Sequence, residues 1–323
     1  MPSERIKHLN APQRSFVEHL RRFLLREYWN IGVVDQTATD IAARGIRTTV
    51  RWFPSPAPGT MLADPFVLPS PRGGRILFAE FLDYRSPRGE LWKAELRDGQ
   101  DPLSATFTPW RSGPLHMSYP SGFAFGGETY LACESWQSGG VPLWRANGCG
   151  WQSLQPLLQG RQVVDPTLFE WQGRWWLFCT FEDDSPDARL HVFHADSPIG
   201  SWIAHPANPV RVDPAGARPA GPVFVLDGIP IRPGQDCLRT YGGAIVLHAV
   251  EELSTTAYRE RVLRRLEPIA GPYPSGLHTI CPAGAVTLID GKRWGRDPAP
   301  IMRQLGYQLR RAGVHLGLKI GSA

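Results

Sequence analysis

The chain of 323 residues is 42% hydrophobic and 20% charged, a composition that suits a folded protein and excludes disorder throughout. Its 33 glycines and 31 prolines are too many for a helical bundle and are typical of short strands joined by turns. The net charge of +5 comes from the ends: residues 1–30 carry +3 and residues 299–323 carry +4, which leaves −2 between them. Nucleic acid is therefore not expected as a partner, because phosphate binding needs clustered basic side chains on the body of the protein.

The cysteines indicate free thiols. They are odd in number, and no two form a C-x-x-C pair, so neither a disulfide framework nor a zinc site is expected. The five are Cys133, Cys149, Cys179, Cys237 and Cys281. The first ten residues are polar, without the apolar stretch of a secretion signal. The sequence therefore predicts a cytoplasmic protein with no cofactor and no metal.

The first 53 residues predict one helix and two strands. Apolar side chains recur at helical spacing over residues 12–28, which predicts an amphipathic helix. Residues 30–35 then predict a short strand, residues 39–43 a small turn of helix, and residues 46–53 a second strand.

From residue 60 the chain repeats a unit of about 50 residues. Each unit begins with a polar residue at or near Pro or Gly and continues as a strand, a turn and a second strand. The units cover residues 63–81, 119–136, 165–182, 218–237 and 278–294. Their leading residues are Asp64, Tyr119, Asp165, Arg218 and His278, at spacings of 55, 46, 53 and 60. This period predicts an all-β protein, a five-bladed β-propeller with short N- and C-terminal helices.

Three parts follow from this pattern. Residues 1–58 hold the N-terminal helix and strands expected to complete the last blade, which is short of strands after Trp294. Residues 59–298 form the propeller. Residues 299–323 place apolar side chains roughly on one helical face with arginines between them. We expect this C-terminal helix to dock on the propeller; a basic helix in peripheral contact with a membrane is the alternative.

The leading residues predict a site. The first strand of each blade lines the central channel, so residues about 50 positions apart converge there. An Asp-Pro pair can also cap a turn, but two such pairs in register with Tyr, Arg and His favour a functional pocket. Two facing carboxylates, Asp64 and Asp165, suggest the acid and base of glycosidic-bond chemistry.

Further candidates stand where the second strands end. Glu80, Glu134 and Asp236 occupy this position, and the last two are favoured because apolar residues flank them. Glu182 and Asp183 are interpreted as solvated turn acids. Arg218 suits a carboxylate or phosphate on a substrate. His278 could be a proton shuttle, an ion ligand or a hydrogen-bonded lining residue. Tyr119 is a further binding candidate, and Trp136 and Trp171 are candidate platforms for stacking a sugar.

Several motifs resemble known families. LADPF at residues 62–66, VDPTLF at 164–169 and DSPIGSW at 196–202 resemble the five-bladed propellers of glycoside hydrolase family 43 and its invertase-like relatives. A narrower resemblance, over residues 29–260, is to the N-terminal propeller domain of plant glucosamine inositolphosphorylceramide transferases and its bacterial relatives. The motifs that carry it are WNIG at 29–32, SYP at 118–120 with ES at 134–135, ARPAG at 217–221, RP at 232–233 with QDC at 235–237, and YG at 241–242. Gln235, within the last group, joins the binding candidates.

The hydrolase resemblance implies that Asp64 is a general base and that Asp165 orients the acid and raises its pKa. It also implies a fourth-blade Glu as acid, but no Glu lies between Glu182 and Glu251. Glu134 or Asp236 would then be the acid.

We therefore expect a carbohydrate-active enzyme that cleaves, transfers or rearranges a glycosidic bond, in glycan biosynthesis. The alternative is a non-catalytic propeller that binds a sugar or sugar nucleotide for a partner glycosyltransferase. A protein-interaction propeller is a third possibility, and it would show aromatic and Arg patches on its rim.

Overall fold

A computed structural model describes residues 25–147 and 150–296, and its strands form five antiparallel sheets. The N-terminal elements are β1 (Leu25–Val34), α1 (Ala38–Arg44) and β2 (Arg51–Trp52). Helix α1 begins after Thr37, whose hydroxyl accepts a hydrogen bond from Asp40 N at 3.1 Å, and ends at Gly45 with φ of 79°.

The next elements make four sheets in chain order. The first blade contains β3 (Thr60–Pro69), β4 (Arg75–Asp83), β5 (Ser86–Leu96) and β6 (Thr108–Arg111). The second contains β7 (Gly122–Phe125), β8 (Glu128–Ala132), β9 (Leu143–Asn147) and β10 (Gly150–Ser153). The third contains β11 (Val163–Trp171), β12 (Arg174–Phe181), β13 (Arg189–Ala195), β14 (Ile203–Ala204) and β15 (Arg211–Val212). The fourth contains β16 (Ala215–Pro219), β17 (Phe224–Leu226), β18 (Ile229–Asp236), β19 (Ala244–Leu253) and β20 (Tyr258–Leu266).

The fifth blade joins the two ends of the described chain. Strands β21 (Ile280–Ala283) and β22 (Val286–Arg296) are followed in the sheet by β1 and β2. Strand β1 pairs with β22 over ten residues, from Leu25 opposite Arg296 to Val34 opposite Thr287. The prediction that an N-terminal strand completes the last blade is confirmed. Short 3₁₀ turns occur at Pro102–Ser104 and Trp136–Ser138.

The first strands form the inner wall of the ring. Strand β3 contacts β7, β7 contacts β11, β11 contacts β16, and β21 contacts β3. A hydrogen bond from Ile280 N to Ala220 O at 2.9 Å links the fourth and fifth blades. The five-bladed propeller is therefore a closed ring, as the period of the sequence predicts.

Hydrophobic packing lies between blades. Five buried clusters fill the five junctions of neighbouring blades, and helix α1 adds Ile41 and Ala42 to the cluster between the fourth and fifth. Each sheet buries both faces against its neighbours, so inner and middle strands such as Trp175–Phe181 are continuously buried and almost entirely apolar. Burial between blades leaves polar side chains of the inner strands to meet at the centre.

Two predictions of local structure were wrong in part. Residues 25–28, the end of the predicted helix over 12–28, belong to strand β1, because pairing with β22 overrides a helical periodicity that is only a weak local signal. The predicted strand over 46–53 reduces to Arg51–Trp52. The rest of the N-terminal helix and the whole C-terminal helix lie outside the described residues.

Two other features concern the thiols and the membrane. Cys133, Cys179, Cys237 and Cys281 are free and buried, and Cys149 lies outside the described residues. Over residues 25–147 and 150–296, no helix has the length and apolar character that crossing a bilayer requires.

Candidate active site

Three of the leading residues stand at backbone irregularities. Asp64, Tyr119 and Asp165 have left-handed φ angles of 50°, 46° and 48°. The pairing register of β3 shifts between Ala63 and Phe66, and that of β11 shifts in the same way beside Asp165. A bulge redirects a side chain, and a non-glycine residue held at positive φ costs free energy that proteins accept mainly at functional positions. The backbone at these three residues therefore adopts a conformation that their residue types disfavour.

Hydrogen bonds connect the blades around the centre. The Asp64 carboxylate accepts from Tyr119 N at 3.2 Å, and Glu134 Oε2 accepts from Asp165 N at 3.1 Å. In the same way, Asp290 Oδ2 accepts from Asp64 N at 3.1 Å. A carboxylate of one blade thus satisfies the bulged backbone of the next. All five residues are buried, so the convergence predicted from the repeats is present.

Arg218 is the cation among these acids. Its Nε donates to Asp165 Oδ2 at 2.6 Å, and its Nη1 donates to Asp187 Oδ1 at 3.2 Å. Glu134 Oε2 lies 3.9 Å from Nη2, and the guanidinium stacks over the Tyr241 ring at 4.9 Å. Burial lowers the pKa of Arg218, but the surrounding carboxylates raise it further, so the net pKa is well above its ordinary value. Arg218 is therefore a fixed positive charge.

Gln235 completes the setting of Asp165. Its side-chain amide donates to Asp165 Oδ2 at 3.2 Å and to Pro219 O at 2.9 Å. Because Arg218 and Gln235 both come from the fourth blade, that blade holds the Asp165 carboxylate with two donors.

The carboxyl groups differ in their proton affinity. Burial raises the pKa of Asp64 to about 6, and neighbouring acids add to the shift, while His278 and the Thr279 hydroxyl oppose it. Burial, and then the Asp165 charge, raise the pKa of Glu134 well above its ordinary value of 4.5. Both carboxyl groups therefore hold a proton more strongly than an exposed acid does, and their different surroundings are of the kind that separates an acid from a base.

His278 lies between two carboxylates. Its Nδ1 is 2.6 Å from Asp290 Oδ2, and its Nε2 is 3.5 Å from Asp64 Oδ1. Its ring stacks on Trp29 with centroids 3.9 Å apart. Burial lowers the pKa of His278, but Asp290 and Asp64 raise it to a net value above normal.

The same triad is where an ion could bind. Within the described chain, ligand atoms of Asp64, His278 and Asp290 lie within 4.8 Å of one another. Each carboxylate also accepts hydrogen bonds from protein groups, Asp64 from the Thr279 hydroxyl at 2.7 Å and Asp290 from Thr279 N at 2.9 Å.

Tyr119 crosses the centre of the ring. Its hydroxyl lies 2.7 Å from the Thr167 hydroxyl in the third blade and accepts from Gly221 N at 2.7 Å, next to the fourth. The side chain is fully buried against Phe66. The structure thus places Tyr119, a predicted binding residue, as a cross-brace between three blades.

Three predicted residues are not brought into this cluster. Asp236 forms an ion pair with Arg265 on the outer strand β20, because side chains alternate along β18 and its neighbour Gln235 faces the centre. Trp171 ends β11, six residues beyond Asp165, and lines a surface cleft with Gly228–Pro230. Trp136 is half-buried in a 3₁₀ turn two residues after Glu134, and it takes part in none of the hydrogen bonds described above for the acids.

Sequence reasoning missed Asp290 and Asp187, and gave Glu80 too little weight. A signal for two of them was present: Glu80 pairs with Ala63, and Asp290 with Thr279, as Glu134 pairs with Ser118. The second strand of the first, second and fifth blades thus carries an acid opposite the inner strand.

Comparisons with known proteins identify relatives. Residues 30–267 match the family described as glucosamine inositolphosphorylceramide transferase 1, N-terminal. The chain is 34% identical over 151 residues to glucosamine inositolphosphorylceramide transferase 1 of Oryza sativa subsp. japonica, covering 45% of this chain and 20% of that protein. The Arabidopsis thaliana protein of the same name is 31% identical over 216 residues, covering 63% and 27%. The chain thus spans about a fifth to a quarter of the curated relatives it matches.

Solved structures agree on the fold. An exo-β-1,3-galactanase from Clostridium thermocellum superposes with a TM-score of 0.50 at 12% identity, covering 70% of this chain and 58% of that one. An exo-β-1,3-galactanase from Phanerochaete chrysosporium gives 0.51 at 14% identity, covering 66% and 53%. The family match covers most of the chain and contains the first four blades and part of the N-terminal strands of the fifth. This protein therefore belongs to the family of N-terminal domains of glucosamine inositolphosphorylceramide transferase 1.

Proposed function

We propose that this protein acts on a glycosidic bond of a carbohydrate bound in its channel. The observation that carries the proposal is the buried cluster in which the Asp64 and Glu134 carboxyl groups each accept a hydrogen bond from the backbone of the next blade, at 3.2 and 3.1 Å, and in which the pKa of each is raised by burial. Asp64 would activate water or an acceptor hydroxyl, and Glu134 would protonate the leaving oxygen. Membership in a family named for a glycosyl transferase supports a carbohydrate ligand.

Asp165 and Arg218 have supporting roles in this proposal. The Asp165 charge raises the pKa of Glu134 and keeps its proton in place. Arg218 binds Asp165 at 2.6 Å and limits the build-up of negative charge that three acids would otherwise create. The fourth blade therefore contributes a charge regulator where the hydrolases that the sequence resembles carry their acid. The acid moves to Glu134 in the second blade.

The alternative proposal is a sugar- or sugar-nucleotide-binding propeller that serves a transferase. It is favoured by the hydrogen bonds that Arg218 and Gln235 donate to Asp165 Oδ2, because they engage this oxygen within the protein. It is also consistent with relatives four to five times longer than the match. We further propose a role in glycan biosynthesis, a cytoplasmic location and peripheral membrane contact through the C-terminal segment.

An assay for turnover of glycosides distinguishes the enzyme from the binding propeller. Purified protein is incubated with nitrophenyl glycosides of the common hexoses and hexosamines and with β-1,3-galactobiose, and released sugar or phenol is measured. We expect Asp64→Asn and Glu134→Gln to reduce turnover of any accepted substrate by at least about a hundredfold while the melting temperature does not fall below that of the wild type. Asp183→Asn, an exposed acid outside the cluster, is the matched control. Binding without turnover in the wild type would favour the alternative.

A further inference from the structure

Glu80 is a buried carboxyl group that the proposed mechanism does not use. It lies on β4 opposite Ala63, the residue before Asp64, and only 8% of its side chain is exposed. Within the described residues its side chain makes no hydrogen bond; His116 Nε2 lies 3.7 Å from Oε1, and Arg218 and three acids act on it through their charges. A buried polar group without a partner is costly, which indicates a group kept for a ligand.

The residue that packs against the Glu80 carboxyl group is a glycine, Gly89. Gly89 on β5 has no need of glycine for its backbone angle, yet a Cβ there would lie 2.4 Å from Glu80 Oε1, 2.5 Å from the backbone oxygen of Met117 and 2.7 Å from His116 Cε1. Gly89 N also donates to His116 Nδ1 at 2.8 Å. The glycine thus allows the carboxyl group, the imidazole and the Met117 carbonyl to pack together, and its N–H orients the imidazole beside Glu80.

His116 presents a proton toward the same place. Burial lowers the pKa of His116 to about 4, so the ring is neutral at physiological pH. Because Nδ1 accepts from Gly89, the single ring proton is on Nε2, which lies 3.1 Å from the Ser118 hydroxyl and 3.7 Å from Glu80.

The surroundings of Glu80 favour its protonated form. Burial raises the pKa of Glu80 well above 4.5, and the charges of Asp64, Asp165 and Asp290 raise it further, while Arg218 opposes the shift. Those three acids come from three different blades, so the carboxyl group faces the centre of the ring. A neutral carboxylic acid offers one donor and one acceptor, which is the complement of a hydroxyl group.

We infer that Glu80 and His116 form a subsite that recognises one hydroxyl group of a neutral polyol, a sugar or cyclitol ring, bound in the channel. The inference rests on the proposed function, because it assigns the ligand of that site. The ligand hydroxyl would accept a hydrogen bond from the protonated Glu80 carboxyl group. It would donate a hydrogen bond to the carbonyl oxygen of Glu80 or to the Ser118–His116 pair. Selectivity then follows, because a ligand without that hydroxyl leaves the buried carboxyl group unsatisfied.

The test uses D-galactose, N-acetyl-D-glucosamine and myo-inositol as probes, with affinity measured by ligand-observed NMR. We expect Glu80→Ala to weaken the best probe about tenfold and Glu80→Gln to restore most of that loss, to within about threefold of wild type, since an amide also offers a donor and an acceptor. One monodeoxy analogue should bind the wild type about tenfold more weakly and show no further loss in Glu80→Ala. Glu95→Ala, an exposed acid of the same blade, is the control.

The outcomes separate this inference from the proposed function. If Glu80→Gln is as damaging as Glu80→Ala, Glu80 acts as a charged carboxylate or transfers its proton in the reaction, and the inference is wrong. If neither variant changes binding while Asp64→Asn abolishes turnover, the inference is wrong and the proposed function stands. If no probe binds the wild type, both fail. Thermal melting of each variant, and loss of a carboxylic-acid C=O infrared band in Glu80→Gln, verify folding and the neutral state.

Discussion

The protein buries two charge clusters, one in the channel and one in the fourth blade, and they differ in balance. In the fourth blade, Arg232 donates two hydrogen bonds to Glu260, at 2.7 and 2.8 Å, and Arg211 adds a third at 3.2 Å. Burial alone would raise the pKa of Glu260, but Arg232 overrides it and lowers the pKa to about 2. His248 beside them is neutral, with a pKa lowered to about 3 by burial and then by Arg232.

The channel cluster has the opposite character. Asp64, Glu80 and Glu134 have raised pKa values, and Arg218 is the guanidinium among them. A cluster in which every charge is matched has one protonation state and stabilises the fold. A cluster with more acids than cations holds protons that it can exchange with a ligand or with solvent, and it has polar atoms that can form hydrogen bonds to a ligand. The balance between acids and cations therefore indicates which of two buried networks to examine for function, because both networks are buried and both are charged.

The largest effect should come from breaking the matched cluster. We expect Arg232→Met to lower the free energy of unfolding by about 3–5 kcal/mol, because it leaves Glu260 buried with an incomplete set of partners. Denaturant unfolding measures the change. Arg259→Met, which removes an exposed pair with Glu251, should cost no more than about 1 kcal/mol. Equal losses for both variants would contradict the distinction, as would a loss of ligand affinity in folded Arg232→Met.

The next effect concerns pH, where the clusters act in opposite directions. Asp64 has a folded pKa of about 6 against 3.8 unfolded, so the folded state binds more protons between these values and stability falls as pH rises from about 4 to 6. Glu260 has a folded pKa of about 2 against 4.5, so its contribution is present above 4.5 and is lost as pH falls toward 2.

Asp64→Asn should remove the first slope and leave the second. Relative to wild type, the variant should gain stability as pH rises from 4 to 6, by on the order of 2–3 kcal/mol. Chemical unfolding at several pH values measures this, with Asp183→Asn as the reference variant. A constant difference between the Asp64→Asn and wild-type curves would mean that Asp64 titrates normally.

The smallest effect should come from Asp236→Asn. Its partner Arg265 is 42% exposed, so loss of the ion pair should cost at most about 1 kcal/mol. Turnover should stay within about twofold of wild type, in contrast to Glu134→Gln, because Asp236 lies outside the channel cluster. A hundredfold loss in Asp236→Asn would return it to the role of acid.

The sequence predicts the propeller and its centre because both depend on a period. Arg218 contacts Asp165, and Asp64 lies close enough for its charge to interact with that of Asp165, because equivalent positions of a ring must converge. Asp236 shows the limit of that argument. A shift of one residue turns a side chain to the other face of a strand, and no sequence signal distinguishes Gln235 from Asp236 without the register of β18.

Other failures have other causes. The N-terminal helix prediction was wrong over Leu25–Tyr28 because a partner strand about 270 residues away decides the conformation there. Asp290 was overlooked because it follows an apolar run as an ordinary turn acid would, and its function depends on the backbone of Asp64 in another blade.

The pairing of β1 with β22 has a consequence for synthesis on the ribosome. The two strands are separated by about 250 residues, so at about 5–20 residues per second β1 waits on the order of tens of seconds for its neighbour. Asp290, which holds the backbone of Asp64, is on that last strand. Closure of the ring and completion of the carboxylate cluster are therefore a single late event, and a nascent chain with four finished blades still lacks the site.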